Sequence, residues 1–276
     1  MPITTKPRQA PLVPKLPAGA TIKLVGLGGV GAIIARFGGL FLASPALDCD
    51  ARLVLIDGDK YEPGNAGRMF FKTCGNKAAI VRAELLEYLA DSRLTILAVE
   101  SYLTAENMHQ LLHDGDVVIL AVDNHRTRKL VSDYVSTNLA NVCLISAGND
   151  PVGPDGSGRV LRGTYGNCQV YIRRDGREVT PPLTYWHPEI EHPADHAPHE
   201  ASCAEMAVST PQILFANLLA ASSALNALYR YLCDGPILGE VAFDIIDAVM
   251  RPVPLPDRSE TSRAQPARRA SRRPRT

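Results

Sequence analysis

Asp57, Asp59, Asn65, Arg68 and Lys77 fall within one stretch of the chain, DGDKYEPGNAGRMFFKTCGNK, and together offer carboxylates, an amide and two cations. Upstream, Gly26, Gly28 and Gly31 fit G-x-G-x-x-G, in which missing side chains let the backbone approach a diphosphate while a helix N-terminus supplies free N–H groups. Asp57 stands where the acid that binds a ribose belongs in such a unit. A dinucleotide brings no triphosphate to neutralise, so it gives Asn65, Arg68 and Lys77 nothing to do. An ATP site does.

These residues need a scaffold, and the surrounding pattern supplies one. Ile22, Leu24 and Val25 form a short apolar run that breaks at Gly26, and a helical pattern follows through Ile33, Ile34, Phe37, Leu40 and Phe41. Arg52 to Ile56 reads as a second strand ending in Asp57. Ala78 to Ala90 is expected as a helix, Leu94 to Val99 as a strand and Glu106 to His113 as a short helix. Val117 to Val122 is an unbroken apolar run, as in a strand buried on both faces, and turns polar at Asp123. Val142 to Ala147 repeats the pattern. The alternation predicts an α/β fold: a Rossmann-like, doubly wound, mostly parallel sheet with its ligand beyond the strands' carboxyl ends. A C-terminal extension of antiparallel strand and helix is expected to follow, with Ser209 or Thr210 capping a helix that has Pro211 in its first turn and runs to Leu232.

With Gly26, Gly28, Gly29 and Gly31, then Asp57 and Asp59, then Asn65 and Arg68, then Lys77, the sequence resembles the ubiquitin-activating-type adenylating family of ThiF, MoeB and HesA. The family pattern is G-x-G-G-x-G, D-x-D at a strand end, N-x-x-R-Q and a later G-x-x-K, and the nearest subgroup is the ThiF-family protein of the bacterial PRTRC gene system. The match spans roughly residues 21 to 148, with a weaker echo from Ser202 to Leu232. Met69 departs from the usual Gln, and Gly75-Asn76-Lys77 is one residue shorter than the pattern. The resemblance implies ATP with Mg²⁺. Asp57 would hold the ribose, Arg68 and Lys77 the phosphates, Asn65 the α-phosphate region and Asp123 the metal, with Asn124 and Arg128 completing a D-N…R pattern. A bland role for Asp123, as cap of the helix from His125, stays open beside it. The implied partner is a small ubiquitin-like carrier protein whose C-terminal Gly becomes an acyl-adenylate. Beyond it lie possible transfer to Cys203 as a thioester, an E2-like recipient, and a homodimer.

At 276 residues with 29 basic and 29 acidic side chains, net charge points to no particular partner. Residues 1 to 20 read as a Pro-rich arm, where Arg8 is the nearby arginine, and 21 to 250 as the adenylation domain. Residues 175 to 203 read as an irregular crossover loop, and 251 to 276 as a disordered basic tail with seven Arg against one Glu from Arg258 onward. Such a tail is by default a solvated terminus, so nucleic acid is not the expected partner. Six cysteines without a C-x-x-C pair, no apolar run of membrane-spanning length and no secretory h-region lead to the expectation of a cytoplasmic protein with reduced thiols. His187, His192, His196, His199 and Cys203 are dense enough to suggest zinc, against a polar loop with no standard zinc spacing. Cys203 is the preferred thiol, with Cys168 second, and a reaction that stops at the adenylate needs neither. An NAD-dependent oxidoreductase and a non-catalytic nucleotide-binding adaptor are the competing functions.

Overall fold

The structure is a computed structural model that describes residues 12–17, 19–44, 47, 50–62, 71–154, 158–198 and 212–256. Arg8, Asn65, Arg68, Met69, His199, Cys203 and the tail beyond 256 lie outside the described residues.

Strands β1 (Ile22–Val25), β2 (Arg52–Ile56), β5 (Thr95–Val99), β6 (Val117–Leu120) and β7 (Val142–Asn149) are parallel. The short pairs β3 (Lys60–Tyr61) with β4 (Gly75–Asn76) and β8 (Val152–Pro154) with β9 (Val160–Arg162) stand apart as hairpins. β10 (Tyr165–Arg174), β11 (Arg177–Glu178), β12 (Glu240–Asp244) and β13 (Val249–Val253) continue the sheet antiparallel. The main sheet runs β13-β12-β10-β7-β6-β1-β2-β5, with β11 paired to β10. Strand order reverses between β1 and β6, and a crevice opens at such a switch point in doubly wound sheets.

The helices are α1 (Gly31–Leu42), α2 (Lys77–Tyr88), α3 (Met108–Leu111), α4 (His125–Asn138), α5 (Leu183–Trp186) and α6 (Leu214–Leu232). One core packs α1, α2 and α6 on one sheet face through Leu24, Ile34, Leu55, Val81, Ile145, Ala220 and Leu228. A second core packs α3, α4 and α5 on the other through Val25, Ile56, Leu120, Val131, Leu144, Tyr171 and Leu183. Side chains of successive strand residues point to opposite faces, and the central strands feed both cores. This is why their sequences are continuous apolar runs.

Three expectations change. α6 begins at Leu214, after Ile213, with no side-chain cap; the Ser209, Thr210 and Pro211 expected to start it lie outside the described residues. The stretch from 175 to 198 is not irregular throughout: it holds β11, α5 and a 3-10 turn at Pro188–Ile190. Its prolines delimit these pieces, and Pro188 opens the 3-10 turn. Nor does the ordered chain stop at 250, since β13 pairs with β12 through Val253. Pro252 misleads there because proline is tolerated in an edge strand, which β13 is.

Candidate functional site

The glycine turn between β1 and α1 is built by exclusion. Gly26 has φ +88, and a Cβ there would come within 2.9 Å of the Ala121 carbonyl oxygen; a Cβ on Gly31 would lie 1.8 Å from the Gly26 oxygen. Both positions are forced by the turn itself. Gly28 differs, because a Cβ there would meet nothing within 4 Å. Its face of the turn is open, beside the buried Gly29 and the start of a helix that no side chain caps. Bare backbone at an uncapped helix N-terminus suits an anion.

Asp57 follows β2 and lies under this turn, 7% exposed. One of its carboxylate oxygens accepts from the Leu27 N–H at 2.5 Å and the other from the Asp59 N–H at 2.7 Å. Burial outweighs the nearby Lys77 charge and these bonds, and pushes its pKa up to about 6. Asp59 receives the Lys77 ammonium at 2.8 Å and the Tyr102 hydroxyl. A phosphate contact by Lys77, itself buried, therefore competes with an existing ion pair. Asn76 ties the site to α2: its side chain caps the helix by accepting from the Ala79 N–H at 3.1 Å and donates to the Asp57 carbonyl at 2.8 Å.

Asp123 is exposed just beyond β6. Burial, the Asp59 hydrogen bond and then the charges of Asp59, Asp57 and Asp123 raise the Tyr102 phenol. The cap of α4 is Asn124, accepting from the Thr127 N–H at 2.8 Å, so the alternative role for Asp123 is not the one it performs. A carboxylate free of helix capping at the end of a parallel strand fits magnesium, which takes one or two carboxylates and completes its shell with water and phosphate oxygens.

Asn76 and Tyr102 escaped the reading of the sequence. Asn76 was within reach, since Asn before a helical run is a cap signal. Tyr102 carries no local signal, because its partner Asp59 is 43 residues away.

The crossover segment is held by side chains. His187 sits between Glu240 at 2.6 Å and Glu189 at 2.7 Å, and Asn167 donates to Glu240 at 2.7 Å. Burial alone would lower the His187 pKa, but the two carboxylates raise it above the ordinary value. Asp195 accepts from the His125 and Arg126 N–H groups at the start of α4, at 2.6 and 2.9 Å. Both ring nitrogens of His187 are thus committed to carboxylates, and among the described residues no group of three His, Cys, Asp or Glu is arranged to hold a metal ion. Cys168 is 1% exposed, and burial pushes its thiol up to about 12, which removes it as a thiolate nucleophile.

Fold and site define a doubly wound α/β protein whose candidate ligand face lies at the carboxyl ends of β1, β2 and β6. The ThiF family model matches residues 16–261, and the chain belongs to that family. Among curated proteins it is similar to the adenylyltransferase and sulfurtransferase uba4 of Emericella nidulans, 29% identical over 116 residues that make up 41% of this chain and 23% of that protein. The uba4 of Aspergillus clavatus is 30% identical over 116 residues, 41% and 22% of the two chains. The chain spans under a quarter of these relatives' length. E. coli MccB, crystallised with AMPCPP and MccA, has the same fold at a TM-score of 0.60, 14% identity, 86% of this chain and 64% of its own. PaaA follows at 0.58, 15%, 86% and 64%.

Proposed function

We propose that the protein is an E1-like adenylyltransferase that uses ATP and Mg²⁺ to activate a carboxylate, the C-terminal Gly of a small ubiquitin-like protein. The observation that carries this reading is the buried Asp57 carboxylate bonded to the amide of Leu27 inside the glycine turn, with the open face of Gly28 beside it. Membership in the ThiF family and the adenylyltransferase names of the uba4 relatives support it.

In this mechanism the turn receives the phosphates and Asp57 accepts from the ribose hydroxyls. Arg68 and Lys77 neutralise the triphosphate, and Asn65 holds the α-phosphate region. Three carboxylates near an anionic ligand need cations, and a magnesium ion on Asp123 would supply charge neutralisation at the phosphate oxygens. The acyl carboxylate oxygen bonds to the α-phosphorus as the bond to pyrophosphate breaks, so catalysis is positioning and electrostatics. Cys203 is the thiol to which any later thioester belongs.

The working form is a homodimer. Phe37 and Leu40 on α1 and Leu214, Phe215 and Leu218 on α6 are exposed apolar side chains, and the two helices touch through Phe41 and Tyr229. Exposed apolar side chains on both helices support that reading. Among the described residues no helix is long and apolar enough to cross a membrane.

Product analysis tests the reaction class. ATP, Mg²⁺ and a carrier ending in Gly are expected to yield pyrophosphate and the carrier's acyl-adenylate. ADP and phosphate, or tight NADH binding indifferent to Mg²⁺, would overturn the assignment.

A further inference from the structure

The first turn of α4 carries a guanidinium that no carboxylate among the described residues contacts. Arg128 is 8% exposed, and among the described residues its guanidinium makes one hydrogen bond, from Nη2 to the Val122 carbonyl at 2.8 Å. Among the described residues no carboxylate comes within ion-pair distance of it. Asp195 spends both oxygens on the His125 and Arg126 amides, and Asp123 acts on Arg128 only through longer-range charge. Taking a cation out of water without a partner is costly, and the cost is recovered only when an anion arrives.

The surroundings are shaped for that anion. The guanidinium lies against Gly148 near the carboxyl end of β7, where a Cβ would come within 2.3 Å of Nη2. His125, the first residue of α4, has a buried Nδ1 without a hydrogen-bond partner, and burial together with the Arg128 charge holds its pKa below the ordinary value. Ser146 is two residues before Gly148 on the same face of β7, and Gln169 faces it in register on β10; Ser146 Oγ and Gln169 Oε1 are also buried without partners. The α4 N-terminus is already satisfied by Asn124 and Asp195. What lacks a partner is side-chain hydrogen-bonding capacity, under the crossover segment and beside the strand that ends at Asp123.

We infer that Arg128 is the substrate-binding residue that recognises the free carboxylate of the acyl donor and holds it next to the nucleotide site. This rests on the adenylation reading for the identity of the donor, but the binding step is separable from the chemistry. A guanidinium grips a carboxylate through two parallel N–H donors. One Arg128 nitrogen donates to Val122, which leaves the other guanidinium donors for the carboxylate. A neutral amide at the same chain end offers one acceptor oxygen and no charge, and is held more weakly.

The test uses the full chain with AMPCPP and Mg²⁺ filling the nucleotide site, and two probes, acetyl-Gly-Gly with a free carboxylate and its C-terminal amide, followed by calorimetry. The parent is expected to prefer the carboxylate by about tenfold or more, the scale of a charge-assisted hydrogen bond. Arg128→Gln should lose that preference and Arg128→Lys keep part of it, with AMPCPP affinity within about twofold of the parent in both, because the charge-assisted bonds go to the peptide. Should Arg128→Gln fail to fold, Arg128→Lys alone decides, since a fully retained preference would overturn the inference. So would equal binding of the two probes to the parent, no binding of either, or a loss of AMPCPP affinity in place of peptide affinity, the last making Arg128 a phosphate ligand. Arg128-dependent carboxylate binding with no pyrophosphate released when ATP and carrier replace AMPCPP and the peptide would count against the adenylation reading and leave this assignment standing.

Discussion

The two ends of the ligand face are held together by different physics. At the nucleotide end, the β1–α1 turn and β2, geometry comes from backbone that has no room for side chains and from one buried carboxylate bonded to main-chain amides. At the crossover end, β10, β12 and the segment from Leu183 to Asp195, it comes from side-chain pairs between distant parts of the chain: His187 with Glu240, Asn167 with Glu240, Asp195 with α4. The first is rigid by exclusion. The second is fastened by charges that substitution or titration can release.

Substitution at Gly31 should break the first region outright. Gly31→Ala puts a Cβ 1.8 Å from a backbone oxygen that cannot step aside, and a loss of about 3 kcal/mol or more is expected, read as unfolding in denaturant. Gly28→Ala is the control within the same turn. With nothing within 4 Å, it should leave the midpoint unchanged while weakening ATP about tenfold or more, because its methyl occupies the face a phosphate approaches. Equal stability loss in both variants would show that the turn's open face is not reserved for a ligand.

In the second region, Glu240→Gln keeps the volume and removes the charge. A loss of about 1–3 kcal/mol is expected, with AMPCPP affinity retained. The raised His187 pKa gives the sign with pH. Its contribution is full below the ordinary histidine value and is lost as pH rises through the folded value, so the parent's advantage over Glu240→Gln should shrink from neutral into alkaline solution. An advantage constant across pH 6–9 would remove His187 from the account.

The nucleotide region has the opposite acid response. Ribose hydroxyls donate to an ionised carboxylate, and Asp57 protonates in the free fold at about 6, so ATP affinity should fall as pH drops below that value, by up to tenfold per unit. In the absence of ligand, the raised pKa works the other way: Asp57's contribution to stability is present below the ordinary aspartate value and is lost as pH rises through about 6. The smallest effect is expected at Asp195, where Asp195→Ala leaves two α4 amides without their carboxylate and costs about 1 kcal/mol, seen as faster hydrogen exchange at His125 and Arg126.

The same contrast explains what the sequence disclosed. The positions of Gly26, Gly28, Gly31, Asp57 and Asp123, at a turn and at strand ends, were legible because turns and strand ends are local devices, written within a few residues. The parallel sheet was legible for a similar reason, through apolar runs such as Val117 to Leu120. The crossover region was not, since Glu240 is 53 residues from His187 and Asp195 is 70 from His125, and no periodicity links them. Read without those partners, the segment's prolines and histidines suggest an irregular loop or a zinc cluster. Gly148 likewise reads as a strand terminator until Arg128 is found lying across it.

The central claim is that Asp123 works with the glycine turn and Asp57 on one magnesium-dependent phosphate chemistry. Pyrophosphate exchange into ATP, measured with the carrier for the parent and Asp123→Asn at matched thermal midpoints, tests it most directly. The account predicts exchange in the parent that requires Mg²⁺ and falls by about a hundredfold or more in Asp123→Asn, since an electrostatic contact to the reacting phosphate is lost. Equal exchange in the two proteins would contradict it.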